Sequence, residues 1–174
     1  MIRIDIPATS ANLGSGFDSL GIALTMCNRV WMEEADELKI TTTDKIKVPT
    51  DETNLIYWAA RHLYQICGKT LPGLHIIQEN NIPMARGLGS SSACIVAGIL
   101  GANRMLGSPM SQSDLINLAA QIEGHPDNTS PAISGGLVAS AMEGKRVYSV
   151  SEPVSGKISF AVMIPPFELK TEKA

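Results

Sequence analysis

The sequence predicts an α+β fold in which a mostly antiparallel or mixed sheet packs against helices. Two observations favour this class. Short β-branched or alternating segments dominate both ends of the 174-residue chain, and longer apolar segments with helical periodicity lie between them. In addition, the regular alternation of strand and helix that a doubly wound sheet requires does not occur. The length suits one domain with a sizeable core, or one domain with an incomplete second.

The N-terminal part is predicted to contain three strands. Residues 2–6 alternate isoleucine with charged side chains, the period of a half-buried strand, and Pro7 is expected to end it. Residues 23–31 and 38–43 are apolar and rich in β-branched side chains, which indicates two more strands. The glycine-rich segment 8–24 is predicted to form a structured loop, although a simple Asn/Gly turn would explain its composition equally well.

The middle of the chain carries the first two helices. The sequence D-E-T-N, which ends at Asn54, is predicted to begin a helix that runs to Cys67 and stops at Gly68. A strand is expected at residues 74–78. Residues 94–106 lack proline and are rich in small and branched apolar side chains, which indicates a buried helix.

The C-terminal part is predicted to return to strands. Ser111 and Asp114 approximate a capping box for a helix that runs to Glu123, and Gly124 is expected to end it. Three further strands are predicted at residues 136–141, 146–151 and 158–164, before Pro165 and Pro166 interrupt the pattern.

Composition argues against several classes of protein. A net charge of −3 without a basic run disfavours a nucleic-acid scaffold, and no stretch of apolar residues is long enough to span a membrane. The first residues carry charge at alternate positions and do not resemble a signal peptide. Cys27, Cys67 and Cys94 are odd in number and widely spaced, which predicts reduced thiols and a cytoplasmic location.

A glycine- and serine-rich loop leads directly into the predicted buried helix. Unpaired N–H groups and the positive end of the helix dipole make such a helix start a good anion site, with a phosphate chain as the favoured ligand. The Walker A and dinucleotide-binding spacings are both absent, and a serine-capped helix start after a tight turn remains an alternative. The loop comprises Pro83, Met84, Ala85, Arg86, Gly87, Leu88, Gly89, Ser90, Ser91, Ser92 and Ala93.

Polar residues also cluster where the third helix is predicted to end. Phosphoryl transfer needs a phosphate cradle, magnesium ligands and a positioned acceptor. Glu123 and a loop serine could supply oxygen ligands to Mg²⁺. Taken alone, Glu123 could equally be a solvated carboxylate at a helix end, and His125 a structural histidine.

Three stretches together resemble the GHMP kinase superfamily and, within it, the homoserine kinases. The first motif, residues 7–21, reads P-A-T-S-A-N-L-G-S-G-F-D-S-L-G. The second motif, residues 83–93, reads P-M-A-R-G-L-G-S-S-S-A, and the third, residues 123–136, reads E-G-H-P-D-N-T-S-P-A-I-S-G-G. The resemblance implies a two-layer sheet-and-helix N-terminal domain with a left-handed β-α-β unit, an exception to the usual hand.

The resemblance also implies a reaction, the ATP-dependent phosphorylation of L-homoserine in threonine biosynthesis, and roles for individual residues. Asn54 would lie near the adenine, and the second motif would bind the ATP phosphates. Glu123 and Ser91 would hold Mg²⁺ and act in catalysis, with Ser90 nearly as good a candidate for the hydroxyl. Related kinases use an aspartate as a general base where this chain has Asn128, so no base is assigned. The expected substrate-binding residues are Asn12, Asp18, His125 and Asn128.

The resemblance further places residues 1–164 in the N-terminal, ATP-binding domain and residues 165–174 at the start of a connection to a C-terminal domain that is missing here. We therefore expect weak or absent kinase activity, and apolar surface that favours self-association, including as a homodimer. Neither nucleic acid nor a membrane is expected as a partner. Three alternatives remain open: a related kinase for mevalonate or a sugar, a non-catalytic nucleotide- or amino-acid-binding module, and a purely structural α+β domain.

Overall fold

A computed structural model describes residues 1–164. The elements are β1 (Ile2–Ala11), β2 (Leu20–Glu34), β3 (Lys39–Thr42), α1 (Leu55–Ile66), β4 (Leu74–Glu79), α2 (Ser90–Met105), α3 (Gln112–Glu123), α4 (Thr129–Ser134), β5 (Leu137–Glu143) and β6 (Arg146–Glu152). The six strands form one mixed sheet, in which β3 and β4 are parallel and the other pairs antiparallel. The strand order is β3-β4-β2-β5-β6, and β1 also pairs with β2.

The larger hydrophobic cluster joins the sheet to the helices. Alternate side chains of β4 are buried, and Leu74 and Ile76 belong to the same cluster as Ile56 and Leu63 of α1 and Ile99 of α2. This arrangement confirms the predicted α+β class with a mixed sheet and helices. The parallel pair β3–β4 is connected through α1, which makes a β-α-β unit. The hand of that unit stays a prediction.

The helix boundaries follow the capping signals in the sequence. The Asn54 side chain accepts hydrogen bonds from the first turn of α1, and Ser111 and Asp114 form a complete capping box at the start of α3. Gly124, with φ of 97°, ends α3 in the left-handed conformation as expected. The second helix, in contrast, begins at Ser90, so the last four residues of the second motif are helical.

Three predictions about the strands were wrong. Pro7 does not end β1, because the pairing with β2 shifts register between Pro7 and Thr9 and the missing N–H is accommodated there. The loop of the first motif therefore shrinks to residues 12–19, and β2 starts at Leu20. Residues 158–164 form no strand, since no described strand pairs with them and their side chains are exposed. The expected connection at 165–174 lies outside the described residues.

Candidate active site

The three motifs meet at Gly89, the residue that precedes α2. The Thr9 hydroxyl of the first motif donates a 2.8 Å hydrogen bond to Oδ1 of Asn128 in the third. The backbone N–H of Thr9 donates to the carbonyl of Leu88 at 3.2 Å. A Cβ on Gly89 would lie 2.0 Å from the Thr9 hydroxyl and 3.1 Å from Asn128 Oδ1. Segments that are far apart in the sequence thus contact one another around Gly89.

A second contact joins the end of the first motif to the third. A Cβ on Gly21 would lie only 1.8 Å from the Asp127 carbonyl oxygen and 2.9 Å from Cγ of Pro131, so only glycine allows this approach. Two residues further along β2, the N–H of Ala23 donates to the Gly136 carbonyl at 2.9 Å. The third motif is therefore held against β2 at both its middle and its end.

The glycine-serine loop is fixed at its entry and open at its exit. The buried Asn28 side chain accepts from the N–H groups of Asn81 and Ile82 at 2.7 and 2.8 Å, just before the loop. At the exit, Gly89 has φ of 65° and gives α2 no side-chain cap. Uncapped N–H groups at a helix N-terminus attract anions. The loop conformation is therefore suited to phosphate.

Ser92, rather than Ser91, contacts Glu123. The buried Ser92 hydroxyl donates a 3.0 Å hydrogen bond to Oε1 of Glu123, whereas Ser91 is exposed. The other carboxylate oxygen, Oε2, is buried and has no hydrogen-bond partner among the described residues. A buried anionic oxygen without a partner is costly unless a cation approaches it. The donor set therefore fits one hard cation such as Mg²⁺, which needs few protein ligands.

Acidic side chains surround His125. Its Nδ1 lies 2.5 Å from Oδ1 of the buried Asp127, and because a carboxylate can only accept, Nδ1 carries the proton. This hydrogen bond, together with the charges of Asp127, Glu123 and Asp18, raises the pKa of His125, while partial burial opposes the rise. Asp18 and His125, both predicted to bind substrate, are thus close enough to interact electrostatically.

Two predicted site residues also have structural roles. The Asn12 side chain accepts the N–H of Asp18 at 2.8 Å and closes the first-motif loop, where both residues have positive φ. Asn54 is buried, caps α1, and donates from Nδ2 to the Pro49 carbonyl at 2.9 Å. A role of Asn54 near an adenine stays a prediction, because its side chain already has partners in its own segment.

Sequence reasoning missed two residues through which the motifs contact one another, Thr9 and Asp127. A buried hydroxyl and a buried carboxylate carry no local signal of their own, although both lie inside the recognised motifs. Within residues 1–164, no group of three or more His, Cys, Asp or Glu side chains forms a ready metal site. A mostly apolar cavity of about 490 Å³ lies between β2 and residues 154–162. Of the residues in the three motifs, Leu88 alone lines it.

Residues 54–136 match the family described as the GHMP kinases N terminal domain. Over its whole length the chain is 45% identical to a homoserine kinase of Clostridium botulinum (strain 657 / Type Ba4) and 44% identical to one of Caldicellulosiruptor bescii. A crystal structure of homoserine kinase from Cytophaga hutchinsonii superposes with a TM-score of 0.80 at 28% identity, covering 98% of this chain and 57% of that one.

The chain spans 58% of the length of the Clostridium botulinum relative and 57% of that from Caldicellulosiruptor bescii. These shares agree with the expectation of a sequence that corresponds to the N-terminal part of such kinases. The matched family, the similarity along the whole of this chain and the superposition all agree with the fold described above. Residues 54–136 thus match the GHMP kinases N terminal domain, within a chain that is similar over its whole length to homoserine kinases.

Proposed function

We propose that this chain supplies the nucleotide-binding part of a kinase that phosphorylates the side-chain hydroxyl of L-homoserine with ATP, in the cytoplasm and on the route to threonine. The observation that supports it best is the convergence of the three motifs at Gly89, beside the uncapped start of α2. The similarity to homoserine kinases along the whole chain favours homoserine over mevalonate or a sugar as the acceptor.

In the proposed reaction, the homoserine oxygen forms a bond to the γ-phosphorus while the bond from that phosphorus to the β,γ-bridging oxygen breaks. ADP leaves and the hydroxyl proton passes to water. The N–H groups at the start of α2 and the loop of residues 83–89 would hold the phosphates. Asp18 would pair with the substrate ammonium, and Asn12 and His125 would line the same pocket. Without an assigned base, the rate would come from positioning and electrostatic stabilisation.

Glu123 is the residue best suited to hold Mg²⁺, because its Oε2 is buried and has no partner among the described residues. A hydroxyl from the first turn of α2, that of Ser91, Ser90 or Ser92, would complete the protein contribution. When bound, the ion would neutralise part of the charge on the phosphoryl group.

None of the helices in residues 1–164 has the length and hydrophobicity needed to cross a membrane.

The test is calorimetric titration of the chain with Mg·ATP, using two left-handed glycines as a matched pair. Gly89 has φ of 65° and touches the site, whereas Gly144 has φ of 60° and nothing within 4 Å of an added Cβ. Alanine imposes about 1–2 kcal/mol of backbone strain at either position. We expect Gly89→Ala to weaken ATP binding at least about tenfold and Gly144→Ala to leave it unchanged. Absence of Mg·ATP binding by the unaltered chain would reject the proposal.

A second assay addresses the acceptor. ATP consumption is measured with homoserine, mevalonate and galactose beside a full-length homoserine kinase. Because the chain spans only 58% of the length of a relative, we expect little turnover, and any turnover with homoserine alone. Turnover close to that of the full-length enzyme would contradict the expectation that residues beyond this chain are needed for activity.

A further inference from the structure

We infer that Thr9 is a positioning residue, which holds Asn128 so that only its amide N–H group is left to contact a substrate. This inference deepens the proposed function and rests on it for its catalytic meaning. It assigns a role to a residue that lies in strand β1. The role is to join the nucleotide side of the site to the substrate side.

Thr9 is placed to do this by three contacts. Its side chain is only 1% exposed, so its hydroxyl has no access to bulk water. That hydroxyl donates to Asn128 Oδ1 at 2.8 Å, and the Thr9 N–H donates to the Leu88 carbonyl at 3.2 Å. The hydroxyl also fills the space beside Gly89 that a Cβ would occupy. One residue therefore fixes both the last turn of the loop and the amide of Asn128.

The orientation of the Asn128 amide follows from its two neighbours. Asp127 is buried, and its Oδ1 lies 3.4 Å from Asn128 Nδ2 and 2.5 Å from His125 Nδ1. A carboxylate oxygen accepts hydrogen bonds and does not donate them, so the amide nitrogen must face Asp127. The amide oxygen then faces Thr9, which can donate to it. Asp127 thus decides which end of the Asn128 amide faces it, and Thr9 then holds the oxygen end in place.

This orientation restricts what Asn128 can do for a substrate. Its oxygen is directed at a buried hydroxyl, so the group that remains available is an N–H. An N–H can stabilise negative charge developing on an oxygen, and it cannot take up the proton of the homoserine hydroxyl. Asn128 is therefore expected to act as a hydrogen-bond donor. Related kinases carry at the matching position an aspartate that acts as a general base.

The first experiment needs no ligand. Side-chain and backbone amide signals of the uniformly ¹⁵N-labelled chain are compared for Thr9→Val, Thr9→Ser and Thr42→Val. Valine keeps the volume of threonine but removes the hydroxyl, and serine restores the hydroxyl. Thr42 is the matched control, because its hydroxyl bonds the Asp44 carbonyl at 3.1 Å in β3, at the other end of the sheet.

We expect Thr9→Val to shift the Asn128 side-chain NH₂ and Gly89 N–H signals and to speed exchange of the Asn128 NH₂ with water severalfold. Thr9→Ser and Thr42→Val should leave these signals near their original positions. Unchanged Asn128 signals in Thr9→Val, or equal changes in Thr42→Val, would overturn the inference. Should Thr9→Val not fold, Asn128→Ala decides the matter, since it must move the signals of Thr9 and Gly89.

The second experiment adds Mg·ATP to the same variants. We expect Thr9→Val to weaken affinity about five- to tenfold and Thr9→Ser to stay within about twofold. The effect of Thr9→Val should largely disappear in an Asn128→Ala background, because the two residues act through one contact. Additive effects would contradict that coupling. If the unaltered chain fails to bind Mg·ATP, the proposed function fails, while the ligand-free spectra still decide whether Thr9 positions Asn128.

Discussion

Replacing Gly21 by alanine tests the contact between the first and third motifs without any assumption about function. Gly21 lies in β2, where an added Cβ would be 1.8 Å from the Asp127 carbonyl oxygen and 2.9 Å from Pro131 Cγ. Real Cβ contacts shorter than 3.0 Å are essentially unknown, so the third motif must move by at least about 1 Å. The atom in the way belongs to the backbone and cannot be relieved by a change of rotamer.

The cost can be estimated from the packing. Overpacking a well-packed interior typically costs 1–3 kcal/mol, and a backbone clash in a strand belongs at the upper end. We therefore expect Gly21→Ala to lower the free energy of unfolding by about 3 kcal/mol. For a chain of this size, that loss corresponds to a melting temperature lower by about 6–12 °C. It is a large fraction of the 5–15 kcal/mol typical of a folded domain.

Urea denaturation followed by circular dichroism measures the difference, with Gly156→Ala as the control. Gly156 has no atom within 4 Å of an added Cβ and no positive φ, so its substitution should change stability by no more than about 0.5 kcal/mol. A loss below about 1 kcal/mol in Gly21→Ala, or equal losses in both variants, would refute the close approach of the two motifs.

Three further predictions concern the metal, the pH dependence and the surface. Glu123→Gln should weaken Mg·ATP binding about tenfold and Ser92→Ala about threefold, whereas both should match the unaltered chain when ATP is titrated in EDTA. Burial, with a contribution from the Glu123 charge, raises the pKa of Cys94 from 9.0 to about 11. Because the unfolded chain then releases this proton first, the thiol should contribute a loss of stability on the order of 2 kcal/mol between pH 9 and 11, and Cys94→Ala should remove that contribution in urea titrations. The exposed side chains of Phe160 and Val162 should promote concentration-dependent self-association, which light scattering would detect and which serine at both positions should reduce.

Capping chemistry made the helices the most predictable part of the fold. Asn54, Ser111 and Gly124 each satisfy backbone groups within a few residues of themselves, so their signals are local and appear in the sequence. The same holds for the alternation of isoleucine in β1. Such features need no knowledge of distant segments, and for this reason the capped helix ends and the start of β1 were predicted at nearly the correct residues.

Elements that depend on distant partners were predicted less well. The continuation of β1 past Pro7 depends on a shift in its pairing with β2, which nothing near the proline indicates. The short helix α4 lies within the recognised third motif, and no helix was predicted there. Conversely, the apolar residues 158–164 have the composition of a strand but no partner among the described strands. Composition alone could not show this, because a strand exists only in a sheet.

The same distinction explains why the motifs were found while the contacts that unite them were not. Each motif is a continuous run of residues, so resemblance to a family can identify it. Thr9 and Asn128, however, are 119 residues apart, and Ser92 and Glu123 are 31 apart. Two serines adjacent in sequence point in directions about 100° apart on a helix, so a choice between Ser91 and Ser92 requires the helix to be placed first. The pairing of Ser92 with Glu123 therefore had to come from the structure, because it depends on how α2 is rotated against α3.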